Sequence, residues 1–100
     1  MGIKIVVLRT GEQVISKISE VSYEEKFKGY LFKDPHSVTV NRGSSFLVEE
    51  NDQDKVEMVL SPWIPLSSDN EVFVVPDYVV ALVEPVESVK NIYIEKVGVD

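Results

Sequence analysis

Val7-Leu8-Arg9-Thr10-Gly11-Glu12-Gln13-Val14-Ile15 sets two apolar runs on either side of a Thr-Gly-Glu turn. Gly11 is free to take a positive φ there, so the stretch reads as a β-hairpin that opens the chain. Its counterpart farther on is Ser61-Pro62-Trp63-Ile64-Pro65-Leu66-Ser67-Ser68-Asp69, a strand end closed by two prolines and followed by a polar turn. Val, Ile, Phe and Tyr fill the short runs elsewhere, which is strand chemistry.

Around the first of these stretches, Ile3 to Arg9 is a first strand, Thr10 to Glu12 its turn and Val14 to Val21 a second strand. Ser22 to Gly29 reads as a charged loop. Tyr30 to Asn41 is a third extended stretch, and Pro35 implies a bend or an edge position in it, because proline cannot donate to a ladder. Arg42 to Ser45 is a turn, Phe46 to Glu49 an extension of the ladder and Glu49 to Lys55 an acidic loop. Val56 to Trp63 is a fourth strand, with Val56, Met58 and Leu60 on one face. Val72 to Val75 and Tyr78 to Val83 are two short strands, or one bent at Pro76-Asp77. Val86, Val89, Tyr93 and Val97 then recur three or four apart, so a short helix is expected within 86–97. Ile92-Tyr93-Ile94 would also suit a final strand.

The 100 residues suffice for one domain, 1–100, with one modest core. At 44% hydrophobic residues the chain is globular. No apolar run approaches the ~20 residues that span a bilayer, so no membrane partner is expected. The opening residues read as a strand rather than a signal peptide, and a cytoplasmic address, in a source or infected bacterium, is the expectation. With no cysteine, disulfides, thiol catalysis and Cys-ligated zinc are excluded. Net charge is −7, unevenly spread. Residues 1–45 carry seven Lys/Arg against five Asp/Glu, and residues 46–100 three against twelve. The overall sign opposes non-specific phosphate binding, while the first half leaves room for one basic face.

About five bent antiparallel strands in ~80 residues are too few for a large sandwich and fit a small closed barrel. Its first and last strands leave edges that need pairing or cover, and edge-to-edge pairing around a ring satisfies them all. The order of elements resembles the Sm/LSm family of small, SH3-like barrels. More closely, it resembles uncharacterised Sm-like proteins of marine phages. The matching pieces are Leu8 to Val21, Leu31 to Val38, Pro62 to Asp69 and Glu84 to Tyr93. The resemblance implies an all-β Sm-like barrel, a homo-oligomeric ring and single-stranded nucleic-acid binding without catalysis. The chain departs from the family in three respects. The Asp-x-x-x-Asn pattern of RNA-binding members is absent from Ser22 to Gly29, Ser67-Ser68-Asp69-Asn70 stands where they carry Arg-Gly, and the helix lies at the C-terminus instead of the N-terminus.

Tyr23, Lys26, Phe27 and Lys28 are the candidate nucleic-acid contacts, since aromatics stack on bases while ammonium groups meet phosphates. Ser67 and Asn70 offer hydroxyl and amide groups in the second turn that an Sm-type ring would turn to its pore. A solvated hairpin loop and ordinary turn chemistry are the competing readings. His36, the single histidine, has no Ser or Cys partner pattern and is read as a surface or edge residue. Glu49, Glu50, Asp52 and Asp54 resemble a calcium loop only in charge. Trp63 reads as a core or subunit-interface plug. No catalytic, cofactor or metal residue is assigned. Two functions remain open: a ring that binds single-stranded RNA or DNA, and a structural or adaptor ring whose partners are proteins.

Overall fold

The computed structural model describes residues 2–41 and 57–98. The Arg42–Ser45 turn, the Phe46–Glu49 extension, the Glu49–Lys55 loop and Val56 lie outside the described residues. Six strands and one helix follow in order: β1 Ile3–Leu8, β2 Gln13–Tyr23, β3 Lys26–Asn41, β4 Glu57–Pro62, β5 Glu71–Val74, β6 Val79–Val83 and α1 Glu87–Val97. A 3-10 turn, Pro76–Tyr78, separates β5 from β6. The class is thus antiparallel β with one short C-terminal helix, and the last segment is helical, not a strand. No helix among the described residues is long and apolar enough to cross a membrane.

The ladder runs β4-β3-β2-β1-β6, and β5 also pairs with β3. The free side of β3 is therefore shared. Tyr30 to Lys33 pair with β5, while His36 to Asn41 pair with β4. At the junction, two residues of β3 face one of β2, because Ile15 opposes His36 while Lys17 opposes Lys33. This bulge holds Asp34, at φ 53°, and Pro35. It is the bend that Pro35 announces: the ring removes a donor where the ladder changes partner. The segment from β5 through the 3-10 turn to β6 pairs first with β3 and then with β1. It wraps the sheet around its contents, although among the described residues the hydrogen-bonded ladder does not close, leaving the outer sides of β4 and β6 as its ends.

The first hairpin forms as its sequence predicts. Gly11 takes φ 91°, its N–H donates to the Leu8 carbonyl at 2.8 Å, and Leu8 N–H donates to the Glu12 carbonyl at 2.9 Å. The second hairpin differs from expectation. Ser22 to Gly29 is not a loop, because strand pairing continues to Tyr23↔Lys26. Only Glu24 and Glu25 turn, at φ 52° and 66°. Two successive positive φ values match the twist of a two-residue hairpin, a role usually left to Asn-Gly or Gly-Gly. Without those residues the sequence carries no sign of so tight a turn.

Both faces of β1 and of the first half of β2 are covered, which explains their near-continuous apolar runs. Val6, Leu8, Val14 and Ile18 face inward with Phe32 and Val74. Ile3, Ile5 and Ile15 face outward with Leu60 and Met58, under α1, which contributes Val89, Tyr93, Ile94 and Val97. Ser16 interrupts the inner run and is fully buried, but its hydroxyl donates to the Lys33 carbonyl at 2.8 Å. Such pairing removes the penalty of burying a hydroxyl. On the helix, Val86 falls outside the packed stripe as the exposed N-cap.

Candidate nucleic-acid interface

The sequence-derived residues fall into two groups that the fold keeps apart. Tyr23, Lys26, Phe27 and Lys28 stand at the tip of the β2–β3 hairpin, all exposed. Ser67 and Asn70 lie beside the Asp34 bulge, because the Asp34 N–H donates to the Asn70 carbonyl at 2.7 Å. Roughly 25 Å of β3 separates the bulge from the tip, at about 3.3 Å per residue. Within one copy of the chain the two turns do not form one surface.

Register sorts the hairpin residues further. Tyr23 directly opposes Lys26, so their side chains leave the same face of the ribbon. Phe27 opposes Ser22 on the other face, and Lys28 is the extra residue of a bulge between the Ser22↔Phe27 and Val21↔Gly29 pairs. Tyr23 is 66% exposed. Phe27 is 45% exposed and sets its ring edge-on to Tyr30, centroids 5.1 Å apart. At the base of the hairpin Phe73 lies over Gly29, where a Cβ would come within 2.7 Å of its ring and of the Val74 carbonyl oxygen. Only glycine admits that approach, and it ties the arm to β5. Tyr23 is therefore the free ring, and Phe27 braces the arm.

At the other turn, Ser67 N–H donates to the Ile64 carbonyl at 3.1 Å, and Asp69 N–H donates to Ser67 Oγ at 3.0 Å. Ser67 and Asn70 line a cleft with Asp34, Asp69, His36 and Trp63. His36 is half-buried between Ile15 of β2 and Pro62 of β4, so it is not at the sheet's edge. Its Nδ1 donates to the Asp34 carbonyl at 3.0 Å. Trp63 plugs the inner core in part, its ring 5.9 Å from that of Phe32, and its Nε1 donates to Glu12 Oε2 at 3.1 Å. The proline-framed turn thus reaches back to the first hairpin. Among the described residues no group of three or more His, Asp or Glu side chains stands in reach of one metal ion.

The chain belongs to a family of unknown function, DUF6561, whose match extends over residues 1–98. Comparison with curated proteins gives no match.

Proposed function

We propose that the chain is a non-catalytic, Sm-like small barrel that assembles through its strand edges into a homo-oligomeric ring in the cytoplasm. It would hold single-stranded nucleic acid, RNA in the first instance, at the tips of its β2–β3 hairpins. The observation that carries the binding is the direct opposition of Tyr23 and Lys26 at an exposed tip. One face then offers a π-surface for a base and an ammonium group for the neighbouring phosphate. The barrel is supported by the wrapping segment 71–83, which pairs with β3 and then with β1. The ring is supported by the ends of the ladder among the described residues, where Val59 of β4 and Val80 of β6 are 53% and 64% exposed. An unpaired strand end with exposed valines gains from a partner strand, and pairing one end to the other closes a ring without residual edges.

Glu20, Glu24 and Glu25 flank Lys26 and Lys28 on the arm, so binding rests on stacking more than on charge. Fluorescence anisotropy of labelled oligo-U and oligo-A at two salt concentrations tests the reading. Binding at low salt that weakens at high salt is expected. No measurable affinity for either strand at low salt would overturn it.

A further inference from the structure

The cleft beside the Asp34 bulge has a chemistry of its own. It encloses about 210 Å³, below the roughly 300–1,000 Å³ of drug-sized sites and suited to one long side chain. Its walls are apolar: Trp63, Pro62, Pro65 and Val72. Its acidic lining residues are Asp34 and Asp69, and among the described residues that line it none is Lys or Arg. A third carboxylate, Glu12, sits against the Trp63 indole. His36 is the one titratable base on the lining, and its Nδ1 is turned to the Asp34 carbonyl. Such a site repels phosphate.

The walls are also held in place. Trp63 is fixed on three sides, by Glu12 at Nε1, by Phe32 behind the ring and by a backbone N–H that donates to the Pro35 carbonyl at 3.0 Å. Asp34 is fixed through both its backbone groups. Its N–H donates to Asn70, and its carbonyl accepts from Tyr93 Oη and His36 Nδ1. On the same turn as Trp63, the apolar side chains of Leu66 and Ile64 stand 98% and 44% exposed.

We infer that this cleft is a socket for an arginine side chain carried by an extended segment of a partner protein. A guanidinium is planar, stacks on an indole face and donates to carboxylates through a fork of N–H groups. Its aliphatic stem lies along proline and valine surfaces that a bare ion would leave unused. Ile64 and Leu66 meet the residues that flank the arginine. The socket is distinct from the hairpin tip and does not depend on nucleic-acid binding there.

Trp63 is the single tryptophan of the chain, so its emission reports on the cleft directly. The probe is the blocked heptapeptide Ala-Leu-Pro-Arg-Pro-Leu-Ala, set against the same peptide with neutral, isosteric citrulline for arginine. The expected result is a saturable change in Trp63 emission with the arginine peptide and at least tenfold weaker binding of the citrulline peptide. Asp69→Asn, in an exposed turn, and Asp34→Asn, which suits the same positive φ, should each weaken the arginine peptide while leaving the circular dichroism unchanged. Equal responses to the two peptides, or no response to either, would overturn the proposal. So would unchanged affinity in both Asn variants. Stronger quenching by oligo-U than by the arginine peptide would give the cleft to nucleic acid. Emission that shifts with protein concentration alone would give it to a second copy of the chain.

Discussion

The hydroxyl of Tyr93 on α1 donates to the carbonyl oxygen of Asp34, 3.0 Å away in the bulge of β3. The same hydroxyl lies 3.0 Å from the Lys33 carbonyl. One buried phenol thus ties the terminal helix to the point where β3 changes partner from β5 to β4. Its ring fills the outer core between Ile15 and Leu60. The helix therefore stabilises the bulge, and the bulge shapes the cleft beside Trp63.

Removing only the hydroxyl, in Tyr93→Phe, should cost about 1 kcal/mol, the net worth of a typical buried hydrogen bond. Lys33 keeps the Ser16 hydroxyl as a donor, which limits the loss. Tyr93→Ala removes the ring as well and should cost about 3–5 kcal/mol. Urea denaturation of the two variants checks the order. Equal losses would mean that the ring carries nothing.

Gly29→Ala should destabilise by roughly 1–3 kcal/mol, the usual range for overpacking. Two atoms stand in the way, the Phe73 ring and the Val74 carbonyl oxygen. Phe73→Leu made together with Gly29→Ala should restore only part of the stability, since backbone cannot step aside as a side chain does. Full restoration, measured by chemical denaturation, would show that only the ring was obstructing.

Lys4 donates to and faces Glu84, and holds that carboxyl below the usual carboxylate range. A folded-state pKa below the unfolded value contributes stability that is present above the unfolded value and is lost as pH falls through the folded one. The stability difference between wild type and Glu84→Gln should therefore be present at neutral pH and vanish in acid. Because Glu84 is exposed, it should be small and shrink with added salt. Thermal melts across that pH range check the sign, and a difference that grows in acid would reverse it.

On the hairpin, Tyr23→Ala should cost roughly 1–3 kcal/mol of nucleic-acid binding, the range for one stacked base. Phe27→Ala should act mainly on stability, through its edge-on packing with Tyr30. Replacing Lys26 and Lys28 together should lower the salt slope by about 1.4, or about 0.7 for each single-strand phosphate that no longer meets an ammonium group. Anisotropy titrations separate the three. A larger binding loss from Phe27→Ala than from Tyr23→Ala would reverse the assignment of the two rings.

Much of the fold is legible locally. Thr10-Gly11-Glu12 marks its turn, Pro35 its bend, Pro76-Asp77 the break between β5 and β6, and the spacing of Val89, Tyr93 and Val97 the helix. These signals each depend on a residue and its neighbours. The Glu24-Glu25 turn is not legible, because two glutamates give no local reason for positive φ, and eight residues read as a loop where only two turn. The site is less legible still. That Tyr23 opposes Lys26 depends on register, and that Asn70 lies beside Asp34 depends on β5 and β4 sharing one side of β3. Neither relation has a trace in the spacing of the residues involved. The cleft joins Asp34 and Trp63, from distant segments, and only the pairing of β3 with β4 brings them together.

Sedimentation velocity of the wild-type chain at micromolar concentration, with and without labelled oligo-U at low salt, decides whether a ring carries single-stranded RNA. A ring gives one discrete species several times the 11.3 kDa chain mass, with the labelled strand moving at its rate. A lone 11.3 kDa species, with the label sedimenting as free oligonucleotide, would rule the ring and its RNA binding out.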